Sequence, residues 1–160
     1  MGHSDQPVTK ASTALPFFYR FVLLYLEPLF ALNGAYLTIF TPSEYAASIT
    51  HSTTNYLSEN NYLYTQLGGA WLIFAFNEAV VLQLVDDLRV WKLLCWGMLV
   101  SDAVYHFSAV QSFGGWEQWS NFVAWGFFDW AVFASAVAPM LVRIGVVSEL
   151  GVRKEKGKTQ

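Results

Sequence analysis

Read for polarity alone, the chain alternates long apolar runs with short polar ones. Four runs stand out, at approximately Phe17–Phe40, Gln66–Val85, Trp91–Phe113 and Phe122–Val142. Each is about the 20 residues needed to cross a hydrocarbon core roughly 30 Å thick at about 1.5 Å per residue. A soluble helical protein would need polar faces at helical spacing, and "WLIFAFNEAVVLQLV" has none. The pattern predicts an all-α fold: a four-helix transmembrane bundle over residues 17–144. An N-terminal tail (1–16) precedes it and a basic C-terminal tail (145–160) follows. Composition agrees, because 13% of the residues are charged and 54% are hydrophobic, against about 25% charged in soluble domains.

The basic residues set an orientation. Lys10 and Arg20 flank the first run, and Arg89 and Lys92 lie between the second and third. Arg143, Arg153, Lys154, Lys156 and Lys158 follow the fourth, whereas residues 41–65 and 114–121 hold no Lys or Arg. The positive-inside rule then places both termini in the cytosol. The first run is too long for a cleaved signal peptide and lacks its small-residue cleavage pattern. "MGHSDQ" has Gln6 where myristoylation needs Ser or Thr. The ending "KGKTQ" looks like a K-x-K-x-x retrieval signal, which points to the endoplasmic reticulum.

The first non-cytosolic loop carries "TPSE", which predicts a short helix to about Ile49. Thr41 would be its N-cap, Pro42 its first residue and Glu44 the reciprocal cap. Tyr56, Tyr62 and Tyr64 suit an interfacial belt. The single cysteine, Cys95, excludes an internal disulfide and a metal–thiolate cluster. A net charge of -3 gives no nucleic-acid signal.

Candidate chemistry lies inside the runs. Each carries one carboxylate near its midpoint: Glu27, Glu78, Asp102 and Asp129. Alternating helix directions bring these four to a similar depth. His106 lies one turn from Asp102 on the same face, in "VSDAVYHFSA". A charged acid at mid-membrane costs about 2.5–3.5 kcal/mol, so four at one level imply a shared polar interior. Like charges that close do not all ionise, and a mixture of proton donors and acceptors suits acid–base catalysis. In this reading Asp102 hydrogen-bonds His106 and fixes its tautomer. Asn33, Asn77, Trp71, Trp125 and Phe133 are candidate substrate-binding residues, the aromatic ones through their π faces. The bland alternative is protonated acids and the two asparagines tying helices together. No metal site is expected, since a bundle metal site needs Glu-x-x-His from two helices. Pro28 frees a carbonyl one turn earlier and bends the first helix beside Glu27.

In length, four-pass layout, long first loop, "NEAVVLQLV" with its mid-helix Glu78, and lysine-rich end, the chain resembles the EXPERA group. These are emopamil-binding-protein-like four-helix membrane proteins. That resemblance implies either a sterol isomerase or a lipid-binding protein, with Glu78 and Glu27 as the residues carried over. The small membrane-embedded cyclases of fungal meroterpenoid pathways are similar in concept, with acids inside an aromatic bundle.

The leading expectation is therefore an integral membrane enzyme that isomerises or cyclises a sterol, terpenoid or polyketide by proton transfer, without a cofactor. Glu78 or Asp129 would be the acid, Asp102–His106 the base and Glu27 an electrostatic partner. The alternatives are a non-catalytic lipid-binding or trafficking protein and, lower, a dimeric proton-coupled transporter, against which the lack of inverted repeats counts. Expected partners are the lipophilic substrate, the bilayer, and a second copy or membrane-bound pathway enzymes, with no nucleic acid.

Overall fold

The computed structural model describes residues 8–50 and 56–153. Among the described residues the regular structure is all helical, and four helices are long and apolar enough to cross a membrane. A one-turn helix α1 (Ala11–Ala14) leads into the first long helix, α2 (Phe17–Phe40). Helix α3 (Pro42–Thr50) follows, then the long helices α4 (Ser58–Leu84) and α5 (Leu88–Ser112). A single turn, α6 (Trp116–Trp119), precedes the last long helix, α7 (Phe127–Val147). Four passes put residues 8–16 and 148–153 at one end of the bundle, here the terminal end. Helices α3 and α6 lie at the other, the loop end. "MGHSDQ" and "KGKTQ" lie outside the described residues.

The outside of the bundle is apolar. Phe127 is 81% exposed, and Phe17, Leu29, Leu93 and Val104 also point outward. In water such a continuous coat would drive aggregation, whereas acyl chains solvate it at no cost. This is a multi-pass membrane protein.

Helices α2 and α4 make the most extensive pairing, and α5 with α7 the next. Glycine permits the first. A Cβ on Gly68 would stand 2.5 Å from Cγ1 of Ile39 on α2, so only hydrogen fits at that crossing. The apolar core sits toward the terminal end, where Leu23, Leu82, Trp91, Cys95 and Val146 are almost fully buried.

Polar contacts tie that end together. Ser12 donates its amide and hydroxyl to Asp86 at 2.7 and 2.6 Å. Arg20 donates to Ser12 O at 2.8 Å, and the amides of Leu88 and Arg153 donate to Thr9 O and Ala14 O. Lys92 and Glu149 pair at 2.7 Å. Although its slight burial works the other way, the two Ser12 hydrogen bonds, with Lys10 and Arg20 nearby, hold the Asp86 carboxyl below its usual range.

Sequence expectations shift at helix ends, and the second span starts at Ser58 rather than Gln66. The fourth span runs Phe127–Val147 rather than Phe122–Val142, because Gly126, extended at φ -86 and ψ -178, starts the helix late. Residues Phe122–Ala124 form a separate 3-10 turn. The "TPSE" helix is present, ending at Thr50, but the Thr41 hydroxyl donates to Leu37 O and so closes α2.

Candidate functional site

The acids divide into two places. Three of them converge on a residue that the sequence places just after the fourth apolar run, among the flanking basic residues. Arg143, 1% exposed, lies one turn before the end of α7. Its Nη1 donates to Asp102 Oδ2 at 2.5 Å on α5, and its Nη2 to Glu78 Oε1 at 2.9 Å on α4. Nη2 also donates to Glu27 Oε1 on α2. One guanidinium thus joins all four spans. Its carbon stands 5.2 Å from the Phe74 ring centroid, a cation–π contact.

Two of those carboxylates are carried by widened helix turns. Before Glu27 the backbone makes a π-helical turn, Val22–Leu26, and the Glu27 amide reaches back to Val22 O. Pro28 explains it: without an N–H, and with a ring that crowds the carbonyl four residues back, it disturbs the turn preceding it. A second π-helical turn, Asn77–Val81, carries Glu78, which is fully buried.

Asp129 does not join them. It sits in the first turn of α7, where its carboxylate accepts the Gly126 amide at 2.8 Å. Fourteen residues separate it from Arg143, about 21 Å along the axis at about 1.5 Å per residue. The expectation of four acids at one depth therefore holds for three and is corrected for Asp129. Its displacement follows from the late start of α7.

Asp129 instead lines a partly open cavity of about 60 Å³ at the loop end. Helix α5 contributes Tyr105 and His106, α3 contributes Tyr45, and Trp119, Trp125 and Phe133 form the aromatic wall. Trp125 is the hub of that wall, with ring centroids 4.9 Å from Phe122, 5.0 Å from Trp130 and 5.3 Å from Phe133. Tyr45 lies on the loop helix, and burial, with Tyr105 adding to it, pushes its phenol above the ordinary range.

His106 is held differently from the expectation. Its Nδ1 stands 2.7 Å from the main-chain oxygen of Asp102, while the Asp102 carboxylate is engaged by Arg143. A carbonyl oxygen only accepts, so Nδ1 carries the hydrogen. Nε2 is buried and has no partner. The tautomer is fixed, but by backbone rather than by the carboxylate.

The remaining candidates scatter. Trp125 and Phe133 line the cavity, whereas Trp71 is not on its wall. Trp71 packs on Gly34, 3.2 Å from where a Cβ would be, and lies edge-on to Tyr105. Asn33 is exposed on α2 and Asn77 half-buried on α4, and neither is among the partners of Arg143.

Sequence reasoning missed Arg143, yet a signal existed. In "PMLVRIGVV" apolar residues continue on both sides of it, so the arginine belongs to the span. A lone cation there needs acidic partners from other helices.

The family described as "Domain of unknown function (DUF7704)" matches residues 12–153, and the chain belongs to it. No curated protein and no solved structure matches the chain.

Proposed function

We propose that this member of the DUF7704 family holds one end of a lipophilic small molecule in the loop-end cavity and converts it by acid–base proton transfer. The reaction would be an isomerisation or cyclisation. His106 carries the reading. Its Nδ1–H is fixed on Asp102 O, and Nε2 is buried without a partner on a residue that lines the cavity. An imidazole so held is arranged to take a proton from a bound molecule. Asp129 lines the same cavity and is the candidate for returning a proton at a second atom. Removal at one carbon and addition at another moves a double bond or closes a ring with no net redox change, so no cofactor is required.

The Arg143 cluster has a positioning role in this reading. It fixes Asp102, and with it the turn of α5 that carries His106. Trp119, Trp125 and Phe133 would shield developing positive charge. The EXPERA resemblance supports a sterol, terpenoid or polyketide substrate met in the endoplasmic reticulum, beside a second copy or other pathway enzymes. Binding without conversion is the second reading. It is favoured by Asp129, one of whose oxygens is already occupied by the Gly126 amide.

The test is solvent-isotope incorporation. Protein in lipid nanodiscs, in deuterated buffer, is given a panel of sterol and terpenoid precursors, and products are analysed by mass spectrometry. Conversion with one solvent deuterium, lost in His106→Gln, is the expected result. Saturable binding of a panel member with neither conversion nor deuterium would leave the binding reading in its place.

A further inference from the structure

The polar groups of the cavity differ in whether their hydrogen-bonding capacity is already used. Ser48, Ser108 and Ser112 line it, and each spends its hydroxyl hydrogen on a carbonyl of its own helix. Two buried atoms on lining residues have no partner: His106 Nε2 and Trp125 Nε1. They are opposite in kind. With Nδ1 carrying the ring hydrogen, Nε2 of a neutral imidazole can only accept, and an indole N–H can only donate.

We propose that the cavity selects a hydroxyl: the occupant is a lipid-soluble alcohol whose O–H donates to His106 Nε2 while its oxygen accepts from Trp125 Nε1–H. The inference rests on the reading of this cavity given above and names its ligand class. An ether could satisfy the indole but not the imidazole. A protonated amine could satisfy the imidazole but not the indole. Each would leave one buried polar atom unmet, a loss of about tenfold in affinity or more. Size points the same way. An enclosed cavity of about 150 Å³ accommodates a benzene ring, so about 60 Å³ takes only the polar end of a molecule. The cavity is partly open, so the apolar remainder extends out of it.

The experiment uses the full chain in lipid nanodiscs, with nitrogen-15 in tryptophan and histidine. The probes are a fifteen-carbon prenyl alcohol, its methyl ether and the corresponding primary amine, each at matched mole fraction in the lipid. The alcohol is expected to move the Trp125 indole and His106 Nε2 resonances saturably. The ether and the amine should need about ten times more. Trp125→Phe, which keeps an aromatic ring in the wall, should weaken the alcohol about tenfold at His106. Equal half-saturation by alcohol and ether, tighter binding of the amine, or no saturable movement with any probe would each overturn the inference. The deuterium assay reads the other proposal separately. Alcohol selectivity without deuterium uptake removes only the conversion. Deuterium uptake with equal alcohol and ether binding removes only the hydroxyl requirement.

Discussion

Arg143 is the residue on which the interior depends. Removing one member of a buried, hydrogen-bonded ion pair costs about 3–5 kcal/mol, mostly because its partners stay behind uncompensated. Here three carboxyl groups would be stranded, so Arg143→Met should lower thermal stability in detergent by at least that amount. Adding Glu27→Gln and Glu78→Gln should recover much of the loss. A triple variant as unstable as the single one would mean that the arginine acts by packing alone. Asp86 offers a second test at this scale. Its folded carboxyl titrates below its ordinary value of 3.8, so its contribution is fully present above that pH and fades as pH falls through the folded value. The melting-temperature gap between wild type and Asp86→Asn should thus be constant at neutral pH and close below about pH 4. A gap that widened on acidification would contradict the Ser12 contacts. The residue scale also shows where sequence runs out. Glu27, Glu78 and Asp102 were legible because a carboxyl inside an apolar run demands a reason. Which group each one meets depends on side-chain direction across three neighbouring helices.

At the scale of the element, helix existence and type followed from apolar length, and the errors fall at ends and irregular turns. The π-helical turn before Glu27 had a visible cause in Pro28, whereas the one at Asn77–Val81 has no proline or glycine to announce it. The start of α7 was misplaced because Phe122, Val123 and Trp125 are as hydrophobic as the helix itself. Of these only Trp125 turns into the cavity lining, while Val123 points outward. Close approach of α2 and α4 yields a paired prediction. Gly68→Ala should cost about 1–3 kcal/mol by forcing Ile39 aside. Gly69→Ala, with open space around its Cβ, should be neutral or slightly stabilising through helix propensity. Equal effects, measured by thermal unfolding, would refute the crossing.

Across the whole molecule, the even number of passes puts both described ends on one side. With Cys95 buried, single cysteines can report this. Glu59→Cys and Glu117→Cys should react with an impermeant maleimide from the same face of sealed vesicles, and Ser148→Cys from the opposite one. Labelling of Glu59→Cys and Ser148→Cys from a common face would break the four-pass topology. The basic-residue bias made this arrangement readable in advance, and counting Arg143 with the basic residues after the fourth run did no harm to it, since it lies in the last turns of α7. What the bias could not convey is the uneven build of the bundle: knotted and apolar at the terminal end, aromatic and cavity-bearing at the loop end.

That the shared guanidinium belongs to the last helix has a consequence for how the protein is made. Glu27, Glu78 and Asp102 are all translated before Arg143, so a nascent chain with three helices inserted holds three acids with no counter-ion. Until the fourth arrives, such an intermediate must keep those acids hydrated or shielded by the insertion machinery.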